Sequence, residues 1–185
     1  MAKFILHGGG TSDISANNEH FFEEMVDCVP DGGSILCVYF SRNENDWNRL
    51  FEEDQDRFRQ AAHSKIISIE MALLDTFLRQ SPSADLIYFR GGDMDLLEIK
   101  IRAIPSFKEI LEGKNLAGSS AGAYLISTNY YTRSKDDVMD GLALAPIKVA
   151  AHYTGDRSIL NKLQEHGDNL EIVLLAEGES RVIES

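Results

Sequence analysis

Short apolar runs alternate with amphipathic stretches along the whole of this 185-residue chain. The apolar runs are residues 4–6, 34–40, 65–69, 85–89, 116–118, 147–150 and 172–175. Apolar residues at helical spacing lie between them, at residues 14–28, 45–62, 71–78, 93–103, 106–111 and 157–166. Strands that are apolar on both faces and separated by helices are typical of a parallel sheet with helices on both sides. We therefore predict an α/β fold built on one mostly parallel sheet, forming a single domain over residues 1–185.

Charge and composition exclude several classes of function. A formal net charge of −12 disfavours nucleic acid and anionic membrane surfaces as partners, and an acidic ligand would need a local basic group. No run approaches the roughly 18 apolar residues of a membrane helix, and the apolar start is too short for a signal peptide. Cys28 and Cys37 form no CxxC motif, and no cluster of residues has metal-ligand spacing. We expect a cytoplasmic protein without metal or cofactor.

The segment around Ser120 has the pattern G-x-S-x-G, formed by Gly118, Ser120 and Gly122. An apolar run precedes it and the helix-like residues 123–126 follow it, so the context is strand, sharp turn and helix. In this context the pattern predicts a nucleophile elbow, in which a strained turn exposes the serine at the carboxyl end of a strand. The alternative is a glycine-lined turn that holds an ordinary serine.

A nucleophilic serine needs a base, which is usually a histidine oriented by a carboxylate. His7 comes directly before the first glycine turn, and His20, His63 and His166 lie in or beside helices, whereas His152 follows a strand-like run, residues 145–151, and so falls on the same edge of the sheet as Ser120. The orienting carboxylate stays open at this point. The candidates are Asp136 and Asp137, on a polar loop between Ser120 and His152, and Glu177, which follows the last apolar run.

An oxyanion hole needs two backbone amides. The amide of Ala121, directly after the nucleophile, is expected to be one of them. The second amide could come from Gly91-Gly92 or from the glycine turn at residues 8–10. Together with His7, that last turn has the H-G-G-G pattern of lipases and esterases, but only one strand precedes it here, whereas in those enzymes it follows the third. We therefore interpret it as a tight turn near the site.

Two segments together resemble the aspartyl dipeptidase (peptidase E) family, whose relatives include the cyanophycinases. They are residues 88–97 (YFRGGDMDLL) and residues 116–127 (LAGSSAGAYLIS), and residues 140–153 (DGLALAPIKVAAHY) are similar to the family's stretch that ends in its base histidine. The resemblance implies a three-layer, flavodoxin-like sheet related to class I glutamine amidotransferases, with serine in place of their cysteine.

The same resemblance implies roles for individual residues. Ser120 would be the nucleophile and His152 the base, while Gly92 and Ala121 would supply the oxyanion-hole amides. Gly91 would contact the substrate. For the third catalytic residue, Asp136 and Asp137 fall nearest to the family's carboxylate, while Glu177 matches a glutamate near the end of the family's sequences.

Members of that family cleave Asp-X dipeptides and use a basic residue to hold the aspartate side chain. The resemblance suggests Arg157 for this role, with Arg90 as a second candidate. We expect a serine peptidase that acts on short peptides. A small-ester hydrolase with the same site and a non-catalytic binding protein with the same fold remain alternatives, and the oligomeric state stays open.

Overall fold

The computed structural model describes residues 2–184. Its strands are β1 (Lys3–His7), β2 (Ser34–Val38), β3 (Ser68–Met71), β4 (Leu86–Phe89), β5 (Asn115–Ser119), β6 (Ser127–Thr132), β7 (Asp137–Asp140), β8 (Ala145–Ala150), β9 (Glu171–Leu174) and β10 (Ser180–Glu184). Its helices are α1 (Ala16–Asp27), α2 (Glu44–Ala62), α3 (Phe77–Gln80), α4 (Met94–Ile101), α5 (Phe107–Leu111), α6 (Ala121–Ile126) and α7 (Arg157–Glu165). No helix within these residues is long and apolar enough to cross a membrane.

The larger sheet has six strands in the order β10-β1-β5-β4-β2-β3. All its pairings are parallel except that of β10 with β1. The predicted α/β class with a mostly parallel sheet is confirmed. Because β1, β5 and β4 are parallel neighbours, their carboxyl ends meet at one edge of the sheet. The turns at residues 8–10, 91–92 and 118–122 therefore share one rim.

A second sheet corrects the prediction of a single one. It has four strands in the order β7-β6-β8-β9, and it contains the run at 147–150 that carries the chain to His152. The predicted polar loop of Asp136 and Asp137 lies at the turn of an antiparallel hairpin formed by strands β6 and β7. Their residues lack a continuous apolar run, so the strands are visible only through pairing with β8 and with each other.

The helix predicted at residues 71–78 is also wrong. The chain leaves β3 at Met71 and turns, and it becomes helical only at Phe77–Gln80, which a short 3-10 helix at Ser81–Ser83 follows. The side chain of Gln80 accepts hydrogen bonds from the Leu73 amide and the Thr76 hydroxyl and donates one to the Met71 carbonyl. These local side-chain bonds satisfy backbone groups that a helix would otherwise have paired.

Arg90, at the end of β4, is buried and bound to α2. Its guanidinium lies 2.6 Å from an oxygen of Asp54 and 3.1 Å from one of Glu53, and it also donates to the Ser12 hydroxyl. Asp54 is buried as well and accepts a hydrogen bond from Tyr39. Arg90 was a candidate for holding a substrate carboxylate, but its guanidinium already pairs with Glu53 and Asp54 of α2. Its contacts instead fix the strand end from which the Gly91-Gly92 turn begins.

Replacing Asp54 by Asn should destabilise the protein strongly, because Arg90 would keep its buried charge without its closest counter-ion. Breaking a buried pair from one side costs about 3–5 kcal/mol in the free energy of unfolding. Urea unfolding followed by circular dichroism measures this loss. The matched control is Asp56→Asn on the same helix, where the exposed carboxylate pairs with Arg59. Equal unfolding free energies for the two variants would contradict the prediction.

Candidate active site

Ser120 lies in a strained turn between β5 and α6. Its φ of 49° and ψ of −107° are unfavourable for a residue with a side chain. The flanking glycines permit the turn because the backbone is too close for other residues: a Cβ on Gly118 would lie 2.3 Å from the Gly122 carbonyl carbon, and one on Gly122 would lie 2.2 Å from the Phe89 carbonyl oxygen. The chain therefore makes a sharp, strained turn from strand to helix at Ser120, as the G-x-S-x-G pattern predicts.

His152, two residues beyond β8, lies against this serine. Its Nε2 is 2.9 Å from the Ser120 Oγ, and its Nδ1 is 2.8 Å from Oε1 of Glu177. With Nδ1–H donating to the Glu177 carboxylate, Nε2 is left as the acceptor for the serine hydroxyl proton. The structure therefore brings Ser120, His152 and Glu177 into one chain of hydrogen bonds, the arrangement of a serine nucleophile, a base and an orienting carboxylate.

Asp136 and Asp137 lie elsewhere, at the turn of the β6–β7 hairpin. The carboxylate of Asp136 accepts a hydrogen bond from Tyr131 and lies 2.7 Å from Nζ of Lys162. The hydrogen bonds from Lys162 and Tyr131 lower the pKa of Asp136, which keeps it ionised. Asp137 begins β7 and accepts a hydrogen bond from the amide of its neighbour Val138. The structure brings neither aspartate into the hydrogen-bonded chain of His152.

The two amides expected for an oxyanion hole belong to residues that line the same cleft as Ser120. Ala121 is the first residue of α6, where amides have no acceptor within the helix. Gly92 lines the same cleft from the turn after β4. Gly91, predicted to contact the substrate, packs against Ser120, since a Cβ there would lie 3.1 Å from the Ser120 Cβ, and it is not among the residues that line the cleft.

The Gly91-Gly92 turn is held in place by the loop after β2. Arg42 Nε donates to the Gly91 carbonyl at 2.5 Å, and the Ser41 hydroxyl donates to the Arg90 carbonyl at 2.7 Å. A Cβ on Gly92 would lie 2.3 Å from the Ser41 carbonyl oxygen, so this close approach requires glycine. The amide of Gly92 therefore belongs to a fixed segment, as an oxyanion hole requires.

A cleft of about 470 Å³ opens over Ser120. Tyr124 and Tyr130 stack at 4.6 Å between ring centroids and form part of its wall. The charged residues that line the cleft are the cations Arg133 and Lys135 and the carboxylates Asp93, Asp95 and Glu177. Arg133 donates hydrogen bonds to the carbonyl of His152 and to Thr154, and Lys135 lies 3.3 Å from Asp95.

Arg157, the predicted substrate-binding cation, is exposed at the first turn of α7 and is not among the residues that line the cleft. The cations that do line it come from the β6–β7 hairpin, and the sequence offered one signal for them. They belong to the same basic and acidic loop as Asp136, directly after the tyrosines of β6. Recognising that loop as a hairpin turn would have placed Arg133 and Lys135 at the end of two paired strands.

A larger groove of about 580 Å³ lies between α1 and α2. It contains none of the elbow residues, and its charged lining is mostly acidic. Within residues 2–184 no group of histidine, cysteine and carboxylate side chains is arranged to hold a metal ion. The chemistry that the described residues support is therefore concentrated at Ser120.

Comparison with known proteins adds to this geometry. The model of peptidase family S51 matches residues 4–184. The crystal structure of a putative peptidase E protein from Listeria monocytogenes EGD-e is 18% identical, with a TM-score of 0.67 over 99% of this chain and 97% of that one. A peptidase from an acI-B1 Actinobacterium is 20% identical, with a TM-score of 0.62 over 99% of this chain and 83% of that one. At such identities these two likenesses show the fold alone. No curated protein matched the chain.

Replacing Glu177 by Gln should lower kcat for peptide hydrolysis by about 100-fold or more, because the orienting carboxylate fixes the histidine tautomer and stabilises the imidazolium. KM should change little. Steady-state kinetics on a dipeptide measure both constants. Asp136→Asn and Asp137→Asn are the matched controls and should keep kcat close to the wild-type value. A loss in either control equal to that in Glu177→Gln would show that the wrong carboxylate has been assigned.

Proposed function

Since the chain belongs to peptidase family S51 and is therefore a peptidase, we propose that it is a serine-type peptidase that hydrolyses short peptides through an acyl-enzyme on Ser120. One observation carries the proposal: the Ser120 hydroxyl lies 2.9 Å from Nε2 of His152, whose Nδ1 lies 2.8 Å from Glu177. A serine hydroxyl is a weak nucleophile without a base, and this geometry supplies one that is already oriented.

The reaction proceeds in two halves. His152 takes the hydroxyl proton as Ser120 attacks the scissile carbonyl, and the amides of Gly92 and Ala121 stabilise the oxyanion that forms. Glu177 stabilises the imidazolium, which then gives its proton to the leaving amine. In the second half His152 activates a water molecule, which attacks the acyl-enzyme and releases the acid and free Ser120.

The cations of the cleft support a proposal for the substrate class. We propose an Asp-X dipeptidase-like specificity, in which Arg133 and Lys135 attract a carboxylate of the substrate. A protein with a net charge of −12 repels an acidic peptide at long range, so binding needs local cations. Arg133 and Lys135 meet this need from within the cleft, whereas Arg157 lies outside its lining.

The proposed setting is the cytoplasm, and the proposed unit is one domain that works without metal or cofactor. Cys28 and Cys37 are free thiols, as is usual in a reducing compartment. The strongly negative charge supports a small peptide as partner over nucleic acid or a membrane surface. Either a monomer or a homodimer is compatible with this proposal.

A serine-reactive phosphonate should label the wild-type protein at Ser120, and Ser120→Ala should lower kcat by at least about 1,000-fold without changing the fold. Mass spectrometry locates the label, and circular dichroism checks the fold. Ser134→Ala removes another hydroxyl from the lining of the same cleft and serves as the control. Absence of labelling together with full activity in Ser120→Ala would overturn the mechanism. Faster hydrolysis of small aryl esters than of any dipeptide would show that the site serves ester rather than peptide hydrolysis.

Replacing Lys135 by Gln should raise KM for Asp-Leu by about fivefold, the effect of losing one exposed charge pair. KM for Asn-Leu, which lacks the side-chain carboxylate, should stay the same. Steady-state kinetics with the two dipeptides give the comparison. Lys162→Gln is the matched control, because Lys162 pairs with Asp136 and does not line the cleft. An equal rise in KM for both dipeptides would show that Lys135 does not read the substrate's charge.

A further inference from the structure

The glycine turn after β1 contacts both the nucleophile and the base. The amide of Ser120 donates to the carbonyl of His7, and the amide of His152 donates to the carbonyl of Gly8, each at 2.9 Å. Two residues from distant parts of the chain are thus bonded to adjacent carbonyls of one strand end. The end of β1 therefore helps to fix the separation of Ser120 from His152.

Gly9, in the same turn, contacts both the imidazole ring of His152 and the segment that contains Glu177. A Cβ on Gly9 would lie 2.1 Å from Cε1 of His152, so the backbone of the turn packs directly on the imidazole. The Gly9 carbonyl accepts a hydrogen bond from the amide of Gly178, the residue after Glu177. The position of Gly9 therefore limits where the imidazole of His152 can lie.

The side chain of His7 fixes Gly9 in turn. The Gly9 amide points to Nδ1 of His7 at 3.2 Å, and the hydroxyl of Ser119 lies 3.2 Å from the same nitrogen. Nε2 lies 2.9 Å from Oδ1 of Asn18, and the ring stacks on Phe21 at 4.4 Å between centroids. His7 is fully buried, so these contacts replace water completely.

The network assigns one tautomer to His7. Both N–H groups of the Asn18 side chain donate, to the carbonyls of Gly10 and Asp13, so its oxygen faces Nε2 of His7 and accepts a hydrogen bond from Nε2–H. Nδ1 is then the acceptor for the Gly9 amide. Burial lowers the pKa of His7 to about 4, which keeps the ring neutral and preserves that acceptor at neutral pH.

We propose that His7 is a positioning residue for hydrolysis at Ser120: its Nδ1 holds the amide of Gly9, and Gly9 holds the imidazole of His152 in line with the nucleophile. The inference rests on the proposed function for its effect on turnover. It assigns a role to the H-G-G-G segment that differs from oxyanion binding, because the ring acts through Gly9 and the Gly92 amide remains available for the oxyanion.

Three substitutions separate the two ring nitrogens. An Asn at position 7 places its oxygen where Nδ1 lies and can accept from Gly9, whereas a Gln places its terminal amide where Nε2 lies and can reach Asn18 only. A Leu provides neither group. We expect His7→Leu and His7→Gln to lower kcat for Asp-Leu by about 100-fold, the effect of misplacing a catalytic group. KM should stay unchanged, and His7→Asn should recover most of the activity.

A second readout does not depend on turnover. The Cε1–H resonance of His152, which lies beside Gly9, should shift in His7→Leu and His7→Gln and stay near its wild-type position in His7→Asn. The exposed His20→Asn variant is the control and should change neither measurement. If wild-type protein fails to hydrolyse Asp-Leu and to react with the phosphonate, the proposed function fails while the resonances still test the inference.

Equal kcat values and equal resonance positions for His7→Asn and His7→Gln would overturn the inference, because its core is the acceptor at Nδ1. A wild-type kcat in His7→Leu would overturn it as well. Circular dichroism shows whether His7→Leu folds. If it does not, the kcat values and His152 resonance positions of His7→Asn and His7→Gln test the inference on their own.

Discussion

The parallel pairing of β1 with β5 sets the position of Ser120 beside the end of β1. His7 lies beside Ser119 in this register, and the next amide, that of Ser120, bonds to the His7 carbonyl. Strand β4 pairs with the other side of β5, so the turn that contains Gly92 ends at the same edge. A serine on a strand end becomes a candidate nucleophile only because its neighbours end there too.

The strain at this edge is balanced by close backbone packing. Ser120 and His152 both have positive φ, at 49° and 55°, which is unfavourable for residues with side chains. Each is held by a backbone hydrogen bond from its own amide to the end of β1 or to the turn that follows. Gly118 and Gly122 permit the approach of segments that a methyl group would separate. The geometry around Ser120 therefore depends on contacts from outside the elbow.

Local patterns predicted the fold class and the elbow, because apolar runs and glycine spacing act over a few residues. The partner of His152 could not be chosen in this way. Asp136, Asp137 and Glu177 are all polar residues beyond Ser120, and only the placement of the segment after β9 against the turn after β1 distinguishes them. The second sheet escaped prediction for a similar reason, since β6 and β7 are strands by virtue of their pairing. The cations of the cleft were missed with that hairpin.

Strand β10 affects which the protein loses first as it begins to unfold, its hydrolytic activity or its packed core. It is an edge strand with mostly exposed side chains, yet it pairs with β1, whose end holds Ser120 and His152. Edge strands open locally at a lower free energy than central ones. Detachment of β10 would release the bond between Gly8 and Glu179 and loosen the segment that carries Glu177. Hydrolytic capacity would then disappear while the aromatic core around Phe22 and Tyr88 was still intact.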